Sequence, residues 1–145
     1  MTQRTTSRLN HVGPLLALVV FTLFPYGWLA ELWPWADQIA TFLFATETAH
    51  AVGHALIFAC VGAAMLAVFP ALRRQPWRYL ALILVVAMAQ EGFQLLYKDR
   101  GVVVNDLTDI GTDLVAAGVV FALVRASLAQ RKGTVGGTAD PPAAG

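Results

Sequence analysis

The stretch Ala49–Phe69 reads AHAVGHALIFACVGAAMLAVF, with Pro70 immediately after it. Apart from His50 and His54, the run carries nothing that ionises near neutral pH, and it is close to the roughly 20 residues a membrane helix needs. Lipid offers no partners for backbone N–H and C=O groups, so an apolar run of this length closes its hydrogen bonds within itself as a helix. It lacks the alternation of a barrel strand. The fold class follows from this segment and its neighbours: all-α, a polytopic membrane protein.

Working outward, three further runs have the same character. The first span is Pro14–Ala30, where Pro14 suits the first helical turn and Pro25 kinks the helix or ends it early. Tyr26, Trp28, Trp33 and Trp35 follow as an interfacial aromatic belt. The third span is Trp77–Tyr97 and the fourth Leu107–Leu128. The chain is therefore expected to hold four transmembrane helices within residues 1–132 as one domain. The Gly/Pro/Ala-rich stretch 133–145 is expected to be a disordered tail. Composition agrees, because 57% of the 145 residues are hydrophobic and only 13% are charged. A soluble domain carries about 25% charged residues. The net charge of +1 gives no reason to expect a nucleic-acid partner. The lone Cys60 excludes an intrachain disulfide and reads as a small buried hydrophobe.

Basic residues orient the bundle. Arg4, Arg8, Arg73, Arg74, Arg78, Arg125, Arg131 and Lys132 fall on one side of a four-span topology, and Lys98 and Arg100 on the other. The positive-inside rule then puts both termini in the cytoplasm. Arg4 and Arg8 before an apolar run resemble a signal peptide, but the run reads as a retained first helix. The expected location is the inner (plasma) membrane, with the lipid bilayer as the first partner.

Acidic residues do the opposite. Glu31, Asp37, Glu47, Glu91, Asp99, Asp106, Asp109 and Asp113 gather at or near the outer side. At about 1.5 Å of rise per residue, His54 lies roughly 7 Å below the outer end of its helix, and Glu91 and Asp113 roughly 9 Å below theirs. His50 and His54 are spaced i, i+4, with Glu47 extending the stripe. Glu91, Gln94 and Lys98 run i, i+3, i+7, as do Asp106, Asp109 and Asp113, so each set shares one helix face. A charge inside the membrane costs about 2.5–3.5 kcal/mol on insertion scales, which turns such faces toward each other or toward water. The expectation is a polar pocket open to the outside, and the competing expectation is a network that only fixes helix packing. Asp106 and Asp109 also suit capping at a helix start.

Three chemistries fit. Glu47-x-x-His50 with His54, Glu91 and Asp113 has the ligand types of a divalent-metal site, but a second E-x-x-H is missing, and neither metal nor cofactor is assigned. Clustered carboxylates in low dielectric hold a proton for acid–base work or proton passage. The inner halves of the helices lack acidic residues and histidines, which disfavours a through-path. Finally, Lys98 and Arg100 at the rim suit a phosphate head group, Arg100 by a bidentate pair. Small residues Gly62, Ala63, Ala64, Ala116, Ala117 and Gly118 read as close helix contacts.

These residues resemble the VanZ-like family of small bacterial membrane proteins. His54 matches an early His in one helix, and EGFQ supplies Glu91 and Gln94 late in the next. DRG supplies Arg100, and ND places Asp106 six residues beyond it. The resemblance covers about 48–124. It departs where His50 and Ala51 replace acidic and lysine residues, and where DIGTDLVA gives Asp109, Asp113 and Ala116 in place of the family's D-x-x-x-N-x-x-G. The resemblance implies a cell-envelope role but no established reaction. The expected ligand set is His54, Glu91, Gln94, Arg100, Asp106, Asp109 and Asp113, acting on an anionic head group or a lipid-linked envelope precursor. An accessory subunit bound to other membrane subunits and an enzyme on a lipid-linked substrate are the alternatives, and no catalytic residue is assigned.

Overall fold

A computed structural model describes residues 3–24, 32–43, 45–98 and 101–135. The order is α1 (Gln3–Leu23), α2 (Pro34–Leu43), α3 (Glu47–Val68), a 3-10 turn (Pro70–Arg74), α4 (Pro76–Lys98) and α5 (Val104–Val135). No strand occurs among the described residues. Among the described residues, three helices are long and apolar enough to cross a membrane, α3, α4 and α5, with mean hydropathies of 2.2, 1.7 and 1.8 over their most apolar stretches. The apolar part of α1 is shorter, Val12–Leu23.

The first span needs correction. Pro14 does not open the helix but sits inside α1, which already begins at Gln3. Proline's fixed φ is a helical value, so the chain accepts it at the loss of one backbone bond. The helix stops at Leu23, with a bend at Phe24, because the residue before a proline is pushed out of the helical region. The remainder of the expected span, from Pro25 to Ala30, lies outside the described residues, as do Tyr26 and Trp28 of the aromatic belt. Trp33 and Trp35 are described, with stacked rings 5.8 Å apart. The sequence reading missed α2. At the other end, α5 runs to Val135, into the stretch expected as tail.

Local chemistry sets the helix ends. Thr46 caps α3, its Oγ1 accepting from Ala49 N at 3.1 Å. At the far end Phe69 N donates to Met65 O, and Arg73 Nε donates to Leu66 O at 2.9 Å, satisfying carbonyls the helix leaves open. The guanidinium also sits at the negative end of the α3 dipole.

α3 packs chiefly on α5, and α4 packs on α5 across a shared seam, with α1 lying against α3 and α4. The apolar core is Phe58, Val61, Met65 and Leu66 of α3, Leu72 of the turn, Tyr79, Ile83 and Ala87 of α4, and Ala117 of α5. Gly62 and Ala117 are the small residues that matter. Tyr79 is fully buried and donates its hydroxyl to Ala117 O at 3.0 Å, and a Cβ at Gly62 would land on that hydroxyl. Ala63 is exposed and Gly118 faces open space, so these two do not make the close contacts expected of them. Cys60 is exposed rather than buried, because its position on α3 turns away from the seam. Large apolar side chains cover the outside, including Leu56, Val85, Leu96 and Val115. Such a surface is stable in lipid and not in water.

Candidate functional site: a buried histidine–carboxylate layer

Each helix of the seam carries one inward stripe, and its chemistry changes along its length. On α3 it runs from Met65, Val61 and Phe58 to His54 and His50. On α4 it runs from Tyr79, Ile83 and Ala87 to Gln90 and Glu91. On α5 it runs from Ala117 to Asp113 and Asp109. Successive helices run in opposite directions, so the start of α3, the end of α4 and the start of α5 share one end of the bundle. The polar parts of all three stripes therefore meet.

His54 is at the centre. Its Nδ1 lies 3.1 Å from Asp113 Oδ1, a buried hydrogen bond, and its Nε2 lies 3.9 Å from Glu91 Oε1. The side chains of His54 and Glu91 are each 5% exposed, and that of Asp113 is 0%. Nearer the end of the bundle, His50 Nε2 is 3.4 Å from Asp109 Oδ2, and the two imidazole rings are 4.7 Å apart. The layer thus has a closed floor and a more open rim, where the side chain of His50 is 38% exposed.

Carboxylates accept hydrogen bonds, and buried polar atoms are ordinarily paired. Among the described residues, Glu91 Oε1, Asp113 Oδ2 and Gln90 Oε1 are buried without a hydrogen-bond partner. The layer therefore has more acceptors than its own donors fill. It can take hydrogen-bond donors or a cation.

Of the expected site residues, His54, Glu91 and Asp113 come together on the floor, and Asp109 joins them through His50. Gln94 is half-buried on the same face of α4, toward the rim. Asp106 is buried with a structural task. It lies in the first turn of α5, and its Oδ2 accepts from Val103 N at 2.8 Å, as the third residue of a capping box does. Arg100 and the side chain of Lys98 lie outside the described residues. Glu47 is exposed in the first turn of α3, and among the described residues the group that converges on His50 is His54 with Asp109. Reading the sequence overlooked Gln90. Its only signal is its place beside Glu91 at the edge of an apolar run.

No protein-family model, curated protein or solved structure matches this chain. The VanZ-like resemblance therefore stands on its quoted residues alone. What the fold establishes is the class: an α-helical protein built for a lipid bilayer.

Proposed function

We propose that this protein binds the polar head group of a lipid or a lipid-linked cell-envelope molecule in the layer around His54. The observation that carries the reading is the pair of buried carboxylate oxygens beside that imidazole, Glu91 Oε1 and Asp113 Oδ2, which have no hydrogen-bond partner among the described residues. Groups of this kind inside a membrane segment mark functional sites. The described part of the layer is acidic, so it suits hydroxyl or amine donors of a head group. For a phosphate on the same molecule, the contact expected from the sequence is Arg100, by a bidentate pair. Both termini are cytoplasmic in this reading, by the distribution of arginines. The layer then faces outward across the plasma membrane, consistent with a VanZ-like role.

The test is native mass spectrometry of the purified full chain with its co-purified lipids. A head-group-bearing species should remain on the wild type. Glu91→Gln and His54→Ala should each lose it while still inserting into the membrane. Full retention by both variants overturns the proposal.

One observation favours a second reading. Asp113 holds Nδ1 of His54, which leaves Nε2 as the working nitrogen, the arrangement of a general base with its orienting carboxylate. An enzyme predicts turnover of a lipid-linked substrate that stops in His54→Ala. Binding without turnover returns the assignment to a binding protein.

A further inference from the structure

We infer that His50, His54 and Asp109, with Glu91 beside them, form a binding site for a divalent transition-metal ion of the Zn2+ class. The inference uses the layer described above but does not depend on a bound head group.

The helix supplies the first part of the argument. Histidines spaced i, i+4 present both imidazoles on one face, a spacing that suits a shared ion. One ligand atom from each of His50, His54 and Asp109 already lies within 4.8 Å of the others.

The distances supply the second. A tetrahedral ion bound at about 2.0–2.1 Å sets its ligand atoms roughly 3.3 Å apart. The His50 Nε2 to Asp109 Oδ2 separation is 3.4 Å, longer than an ordinary N–H···O hydrogen bond of about 2.7–3.2 Å. His54 Nε2 to Glu91 Oε1 is 3.9 Å. The first separation is one at which two donors flank an ion, and the second places Glu91 at the edge of the group.

Partnering supplies the third and independent part. Glu91 Oε1 is buried without a hydrogen-bond partner and lies beside the cluster. Behind it, Asp113 accepts from His54 Nδ1–H in the tautomer that turns Nε2 to the ion. Metal-bound histidines are ordinarily fixed in this way by a carboxylate on their other nitrogen. Two imidazoles with a carboxylate select a first-row transition metal over Mg2+ or Ca2+, which take oxygen ligands.

The experiment is titration of Zn2+ alone into the chelator-treated full chain in detergent, without added lipid, by calorimetry and elemental analysis. One Zn2+ per chain is expected, with no heat from Mg2+. His54→Ala and Asp109→Ala should abolish stoichiometric binding. Asp113→Asn should keep the stoichiometry and weaken affinity by about 10–100-fold, as loss of an orienting partner does. His50→Cys guards against a folding defect: loaded with Co2+, it should gain a thiolate-to-cobalt charge-transfer band that the wild type lacks. Absence of stoichiometric Zn2+ on the wild type overturns the site. So does Zn2+ bound equally by His54→Ala and Asp109→Ala, or a Co2+-loaded His50→Cys without the band. Loss of metal binding with retained head-group binding removes this site alone, and the reverse removes only the proposed function.

Discussion

His54 and Asp113 form a buried pair. Breaking a buried pair by deleting one partner costs about 3–5 kcal/mol, because the other charge is left alone. His54→Ala is therefore expected to lower the stability of the detergent-solubilised protein by that order. Adding Asp113→Asn in the same background should restore part of the loss by removing the stranded charge, a coupling that thermal unfolding of the four variants will read. Not every buried acid works this way. Asp106 is tied to Val103 N at the start of α5, so its loss should weaken the helix start. Sequence spacing put Asp106, Asp109 and Asp113 on one face and offered Asp106 and Asp109 for capping; Asp106 takes that task and Asp109 faces His50. That division depends on the helix starting at Val104 rather than Leu107, one turn that composition does not specify.

At the scale of elements, the three helices apolar enough to cross a membrane were legible because a charge in lipid is costly and apolar runs are long. That His54, Glu91 and Asp113 meet at one level of the bundle was legible for the same reason. The amino-terminal extent of α1 and the whole of α2 were not, since Gln3–Leu23 mixes polar and apolar residues and α2 is only ten residues long. Within an apolar run the rotational phase is also hidden, so Gln90 and the pin formed by Tyr79 went unread. That pin gives a prediction. Gly62→Ala should disturb the seam by pushing on the Tyr79 hydroxyl, and Tyr79→Phe alone should cost about 1 kcal/mol for its hydrogen bond. The double variant should be more stable than the sum of the two losses, because phenylalanine removes the atom the new methyl meets. At the end of α3, Arg73→Ala should cost about 1.5–3 kcal/mol, the value of a hydrogen bond to a charged group.

For the whole molecule, the bundle has two chemically different ends. One holds the acidic layer and the turn between α4 and α5, and the other the arginine-rich turn between α3 and α4. The orientation proposed above is checked by cysteine labelling in a Cys60→Ala background. Val102→Cys should react with a membrane-impermeant maleimide in intact cells, and Gln75→Cys only after permeabilisation. The reverse pattern would invert the protein and put the layer in contact with the cytoplasm.

The bond between His54 and Asp113 joins residues 59 positions apart in the chain. A ribosome adding about 5–20 residues per second needs roughly 3–12 seconds to deliver the second after the first. Through that interval α3 has been synthesised with a polar side chain in its amino-terminal third and no carboxylate from α5 to meet it. Biogenesis of this protein is thus a problem of waiting: the nascent helix must be sheltered by the insertion machinery, or stay near the water interface, until the last helix arrives.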